Sequence, residues 1–365
     1  MLNKQERHGG DVYRIARQIH IDPNKVLDFS GNINPLGIPV GLKEYIYLHL
    51  DEITHYPDME YRQLREAIAE YAKCPVEYVM VGNGVTELIF LIMQSIRPQR
   101  VLVPFPTYGD YEKSIHQAGG ELISYRIKEE LDFKLDVDSL VSELNGNYDM
   151  LILCNPNNPT GQLVQGDDLK YLLDYTREHR IYVLLDETYI EFASDPDLAS
   201  MAKEIVNYKN VIILRGFGKF FAIPGLRLGY CIANPSILST MGKSKEAWTV
   251  NSVADMAGFY LLKDKDFIEK SRNWINTERP FLYKELAKFD EWKVYPSEAS
   301  FFLIKIINGN FNAPMLKAYL EKQGILIRDL SNHYYLDKSF FRIAIRTRQE
   351  NEVLLRHISD FIIRG

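Results

Sequence analysis

Arg215-Gly216-Phe217-Gly218-Lys219-Phe220-Phe221-Ala222-Ile223-Pro224-Gly225-Leu226-Arg227 follows directly on the apolar run Val211-Ile212-Ile213-Leu214. A short, unbroken apolar run is the pattern of a strand buried on both faces of a sheet. Lys219 therefore stands in a glycine-flanked turn just past such a strand, with Arg227 further along the same loop. That placement suggests an amine held inside an anion-binding loop. Outward from it, the same kind of run recurs at Val101-Leu102-Val103, Met150-Leu151-Ile152-Leu153, Tyr182-Val183-Leu184-Leu185 and Gly229-Tyr230-Cys231-Ile232. Helical patterns lie between the runs, as in Tyr61 to Tyr71, where Leu64, Ala67, Ile68 and Tyr71 share one face, and Glu87 to Ser95. Parallel strands need crossovers of this kind, so the reading is an α/β fold.

After about residue 240 the pattern changes. Helical segments near 252–262 and 265–288 lead into alternating strands at 299–306, 325–328 and 341–346, with helices near 313–322 and 349–363. This predicts a smaller α+β domain over 241–365, beside a large domain over 51–240. Residues 1–50 read as irregular and proline-punctuated, a segment expected to pack on the small domain. The site is expected between the two domains.

Composition narrows the function classes. An apolar fraction of 46% and a charged fraction of 25% are those of an ordinary globular chain. The net charge of -6 offers no bulk attraction to nucleic acid. The segment Met1 to His8 has no apolar run of the signal-peptide kind, and nothing approaches the ~18 apolar residues of a membrane span. Cys74, Cys154 and Cys231 are scattered and never form a C-x-x-C pair. The expectation is no disulfide, no metal, and a reducing cytoplasm.

Several motifs carry chemistry. Asp186 closes the apolar strand Tyr182 to Leu185, with Tyr189 three residues on. A lysine for a Schiff base and a carboxylate for a pyridinium nitrogen are what a protein supplies to pyridoxal phosphate. Gly82-Asn83-Gly84-Val85-Thr86-Glu87 lacks the third glycine of a dinucleotide fingerprint and reads instead as an anion seat at a helix N-terminus. Ile213 and Phe220 stand where a nucleotide P-loop needs glycine and a hydroxyl residue. Asn155-Pro156-Asn157-Asn158-Pro159-Thr160-Gly161 is a rigid turn at a strand's carboxyl end, where open α/β sheets bind ligands. In Phe341 to Arg346, Arg342, Ala344 and Arg346 share one face, the two arginine Cα atoms ~13 Å apart at about 3.3 Å per residue. Arg328 ends Ile325-Leu326-Ile327 and adds another forked anion donor.

Together and in this order, these motifs resemble the fold-type I pyridoxal-phosphate aminotransferase superfamily, over nearly the whole chain. His8-Gly9-Gly10, Leu27 to Gly37 (with Asp28-Phe29-Ser30-Gly31-Asn32), Tyr56-Pro57-Asp58 and Phe220 to Tyr230 carry the likeness to its threonine-phosphate decarboxylase branch. Histidinol-phosphate aminotransferases are a near relative of that branch. The resemblance implies a mostly parallel seven-stranded sheet flanked by helices, plus a smaller α+β domain. It implies pyridoxal 5'-phosphate as cofactor, joined to Lys219, with Asp186 on the ring nitrogen and Asn158 and Tyr189 on the phenolic oxygen. Tyr108 would stack on the ring, and Gly84, Val85, Thr86 and Arg227 would hold its phosphate. Tyr56 would reach that phosphate from the second subunit of a homodimer. Arg342 corresponds to the substrate-carboxylate arginine, and Arg328 and His8 to candidates for a substrate phosphate. Asn32, Asn158 and Arg346 are further expected substrate contacts. Arg346 stands where the aminotransferase relatives commonly carry a small residue, and so favours decarboxylation of L-threonine O-3-phosphate.

One departure stands out. The family usually has hydroxyl residues at 216 and 218, and this chain has glycine at both. Two hydrogen bonds to a charged group, each worth about 1.5–3 kcal/mol, are thereby missing, unless backbone amides replace them. An aminotransferase reaction and a non-catalytic effector domain of a transcription regulator are the rival readings. The second needs an added basic DNA-binding domain.

Overall fold

The computed structural model describes residues 9–364. Seven strands form the larger sheet, in the spatial order Val79–Gly82, Gly229–Ala233, Val211–Gly216, Tyr182–Asp186, Met150–Cys154, Arg100–Phe105, Glu121–Arg126. The five strands from Val211–Gly216 to Glu121–Arg126 are mutually parallel, and Gly229–Ala233 runs antiparallel to both of its neighbours. The expected α/β sheet is therefore present, with one reversed strand near an edge.

Each central strand shares its side chains between two cores, because successive residues point to opposite faces. Val211 and Ile213 pack with Leu169, Leu172 and Leu173 of helix Gly166–Glu178. Ile212 and Leu214 pack on the other face with Leu88 and Ile92 of helix Gly84–Ile96 and Ile115 of helix Asp110–Gln117. All four strand residues are fully buried. Each such side chain contributes about 1.5–3 kcal/mol by leaving water.

A second, four-stranded sheet orders Arg328–Asp329, Phe340–Ala344, Phe301–Ile306 and Trp292–Val294, all antiparallel. The run at 325–328 is not one strand. Ile325–Leu326 pairs in parallel with Leu27–Asp28, whereas Arg328–Asp329 joins the four-stranded sheet. The strand expected to reach residue 346 ends at Ala344.

The N-terminal region is less irregular than its prolines suggest. It contains helices Val12–Ile19 and Val40–Leu48. The Asp11 side chain accepts from the Arg14 amide and caps the first helix, whose Ile15 and Ala16 are buried. Strands Val79–Gly82 and Glu121–Arg126 lie at the two sheet edges. Both escape a search for long apolar runs, the first because it is four residues long and the second because its burial is mixed.

Candidate active site

A cavity of about 690 Å³ lies at the carboxyl ends of the parallel strands and is lined as well by Arg328, His333 and Arg342 of the small sheet and its loop. Lys219, Asp186, Tyr189, Asn158, Tyr108, Arg227, Gly84, Val85 and Thr86 all line it. Strand ends bring them together: Asp186 closes Tyr182–Asp186, Gly216 closes Val211–Gly216, and Asn155 follows Met150–Cys154.

Asp186 is 4% exposed and accepts three hydrogen bonds, from the Tyr111 hydroxyl at 2.5 Å, the Thr188 amide at 2.9 Å and the Thr188 hydroxyl. Burial still pushes its carboxyl above the ordinary range. Among the described residues its hydrogen-bond partners are all neutral. A buried carboxylate in that state wants a cation. A protonated ring nitrogen entering the cavity supplies one. Tyr111 and Thr188 were not singled out from the sequence. Tyr111 arrives from a helix far away in the chain, but Thr188, two residues past Asp186, had a sequence signal in the Asx-type spacing.

Lys219 donates from Nζ to the Gly31 carbonyl at 2.8 Å. Burial first, and then the Arg342 and Arg227 guanidiniums, lower its ammonium to about 8. A lysine so depressed is a usable nucleophile near neutrality.

The anion corner is built by close packing. Helix Gly84–Ile96 starts without a side-chain cap from Asn83, which leaves first-turn amides for a ligand. Gly84 has φ +77, and a Cβ there would lie 2.7 Å from Arg227 Nη2. Glycine is what lets the guanidinium sit over the helix start. A Cβ at Gly216 would meet Val85 Cγ2 at 2.9 Å, so Val85 and Gly216 are matched in size. The Val85 side chain thus crowds the position where the family usually has a hydroxyl residue. At the cavity wall the Tyr108 hydroxyl bonds Asp110 and the Thr86 side chain.

Arg342 is buried, and its two terminal nitrogens donate to Asn158 Oδ1 and to the Ser30 carbonyl, the latter at 2.9 Å. In the amide orientation that satisfies the network, the Asn32 oxygen accepts from both guanidinium nitrogens at 3.1 and 3.2 Å and from the Tyr189 hydroxyl at 3.2 Å. Arg328 is its direct cross-strand partner. Like charges placed directly opposite across strands repel, so the pair is suited to an anion between them.

The remaining expected residues fall elsewhere. Arg346 is not in the cavity wall. Its guanidinium pairs with Glu350 at 2.7 Å, donates to the Asp28 carbonyl at 3.1 Å and lies over the Phe29 ring. The strand itself ends at Ala344, two residues short of Arg346. Tyr56 is 77% exposed and stacks on Trp248, away from the cavity of its own chain. His8 lies outside the described residues.

One feature was missed entirely. Five consecutive carbonyls, from Asp28 to Asn32, each accept a hydrogen bond: from Arg346, the Ala344 amide, Arg342, Lys219 and the Ser300 hydroxyl in turn. The N-terminal strap therefore laces the small sheet to the reactive lysine.

An open α/β sheet that presents a depressed lysine, a buried carboxylate whose described partners are all neutral and an uncapped helix start to one cavity defines an enzyme that works on pyridoxal 5'-phosphate. The chain belongs to the aminotransferase class I and II family, which matches residues 24–358. It is 34% identical to the threonine-phosphate decarboxylase of Salmonella typhimurium, over 97% of this chain and 96% of that one. The crystal structure of L-threonine-O-3-phosphate decarboxylase from Porphyromonas gingivalis superposes with a TM-score of 0.81, at 29% identity, covering 93% of this chain and all (100%) of that one. The histidinol-phosphate aminotransferase of Clostridium acetobutylicum superposes with a TM-score of 0.88, at 33% identity and the same coverage of 93% and 100%. Both kinds of relative thus share the fold.

Proposed function

We propose that this enzyme decarboxylates L-threonine O-3-phosphate to (R)-1-aminopropan-2-ol O-2-phosphate, a step toward the nucleotide loop of cobalamin. The observation that carries the reading is the Arg328–Arg342 cross-strand pair at the cavity. A substrate with a carboxylate at one end and a phosphate at the other answers both guanidiniums. Histidinol phosphate has a phosphate but no carboxylate, so in the rival reading the second guanidinium would serve the oxo-acid acceptor instead.

Bound pyridoxal 5'-phosphate supplies the electron sink into which the Cα–carboxylate bonding pair passes as CO2 leaves. Asp186 holds the proton on the ring nitrogen, which keeps that sink effective. Asn158 and Tyr189 would bond the phenolic oxygen, and Tyr108 would cover the ring. Gly84, Val85, Thr86 and Arg227 hold the cofactor phosphate. Arg342, with Asn32 and Asn158, orients the substrate carboxylate, and Arg328 with His8 takes the substrate phosphate. Lys219 would hold the cofactor aldehyde, and its amine would return a proton to the substrate Cα as general acid. Tyr56 completes the cofactor-phosphate site of a partner subunit in a homodimer. In this reading residues 51–240 carry the cofactor, and 1–50 and 241–365 carry most of the substrate contacts.

The histidinol-phosphate aminotransferase likeness keeps transamination as a second reading. Purified enzyme is given phosphothreonine without any oxo acid. CO2 and the phosphorylated amino alcohol are the expected products. Glutamate formation that depends on 2-oxoglutarate and histidinol phosphate, with no CO2 released, would replace the first reading with the second.

A further inference from the structure

We propose that His333 is a further substrate-phosphate ligand, a neutral imidazole whose Nδ1–H donates to the phosphate beside Arg328. The inference rests on the reading of the substrate as a phosphorylated amino acid. His333 stands in the turn that follows strand Arg328–Asp329 and lines the cavity together with Arg328 and Arg342. Its Nδ1 is buried and has no hydrogen-bond partner among the described residues. A buried ring nitrogen in that state is normally paired, so it marks a place where a ligand atom is expected.

The ring is held where it is. The His333 amide donates to the Leu330 carbonyl at 3.0 Å, and its own carbonyl accepts from the Leu336 amide at 3.2 Å. The next two residues pin the turn to the large sheet and its helix: the Tyr334 hydroxyl bonds Glu112 at 2.7 Å and the Tyr335 hydroxyl bonds Ser124 at 2.8 Å. The imidazole is thus fixed in the wall.

Its charge state follows from what faces it. Burial, then Arg328 and Arg342 on the neighbouring strands, push the imidazolium down to about 3. Glu112, Lys113 and His116 of helix Asp110–Gln117 line the same cavity. Glu112 is engaged by Tyr334 and lies 3.7 Å from His116 Nε2. At neutral pH the His333 ring is uncharged, with one donor and one acceptor nitrogen. A phosphate dianion offers acceptors alone, which selects the donor side. Two arginines supply charge, and the imidazole supplies direction without adding a third like charge.

The test uses holoenzyme and spectral titration with L-phosphothreonine and with L-threonine. His333→Ala is expected to weaken phosphothreonine binding by about tenfold or more, the loss of one hydrogen bond to a charged group. Threonine binding should hold within about twofold, since that ligand lacks the acceptor. His333→Asn, whose amide N–H overlays Nδ1–H, should restore phosphothreonine binding to within about threefold. The ratio of wild-type to His333→Asn affinity should stay flat from about pH 6.5 to 8.5, because a neutral ring does not titrate there. Wild-type preference for phosphothreonine that survives intact in His333→Ala overturns the role of His333 alone. Absence of that preference in wild type overturns the substrate reading and this role with it. Should His333→Ala fail to fold, nitrogen-15 NMR of the wild-type imidazole decides: a neutral tautomer whose Nδ1 signal moves with phosphothreonine supports the proposal, and an unmoved or imidazolium signal overturns it.

Discussion

Lys219 Nζ lies 2.8 Å from the Gly31 carbonyl oxygen, so the reactive amine is held by the N-terminal strap before it meets the cofactor. A carbonyl accepts from the neutral and the charged amine alike, and does not lock in the proton. The amine is lowered to about 8 from the lysine value of 10.5, chiefly by burial. Below about 8 it is mostly charged and cannot attack an aldehyde; above it, the neutral form dominates. Capture of pyridoxal 5'-phosphate by apoprotein should therefore accelerate from pH 6.5 to about 8 and then level off. Stopped-flow absorbance checks this, and a rate still climbing toward 10.5 would show an ordinary solvent-exposed lysine.

Tyr111 reaches Asp186 Oδ2 at 2.5 Å from a helix on the other side of the strand end. Tyr111→Phe removes a bond to a charged group worth about 1.5–3 kcal/mol. The Asp186 carboxyl then rises further, the opposite of what a ring-nitrogen partner needs. Turnover should fall by roughly 10- to 100-fold, with the protein still folded and still binding the coenzyme. Steady-state kinetics beside circular dichroism separate the two effects.

Glu191 is buried 3.8 Å from Arg215, whose nearer partner is Glu187 at 2.9 Å. Burial raises the Glu191 carboxyl from 4.5 to about 7. Between those values the folded state holds a proton that the unfolded state has lost. This group therefore stabilises the fold below about 4.5 and loses that contribution as pH rises to about 7. Glu191→Gln should flatten the dependence, amounting to about 3 kcal/mol at most. Urea denaturation at pH 5 and pH 8 measures it.

Tyr56 faces away from its own cavity, and the proposed homodimer makes it serve the partner's. Chains carrying Tyr56→Ala and chains carrying Lys219→Ala should each be poorly active alone. Mixed by co-expression, they should regain activity, because one of the two sites then receives both natural residues. Failure of the mixture to recover, with heterodimers demonstrated by mass spectrometry, would remove Tyr56 from the shared site.

The sequence made much of this legible. Val211 to Leu214 and Tyr182 to Leu185 form parallel strands as their patterns imply, with Asp186 and Gly216 closing them. Helix Val12–Ile19 was equally readable, since Asp11 precedes apolar residues at 12, 15, 16 and 19, but the nearby prolines masked it. Arg346 stands apart from the cavity wall for a reason that the sequence does not carry. Alternation says which face a residue takes while strand pairing lasts, not where pairing ends. Glu350, one helical turn on, pairs with that guanidinium, which lies outside the cavity wall.

By itself the chain's pattern determined the α/β class and the order of the chemistry-bearing residues, because period and turn chemistry are local properties. Tertiary structure alone decided which of them meet: Arg328 across from Arg342, Tyr111 under Asp186, and the Gly31 carbonyl on Lys219. Those contacts join residues as many as 188 positions apart. Their partners are set by packing and by the need to pair every buried polar group, and neither leaves a mark at short range.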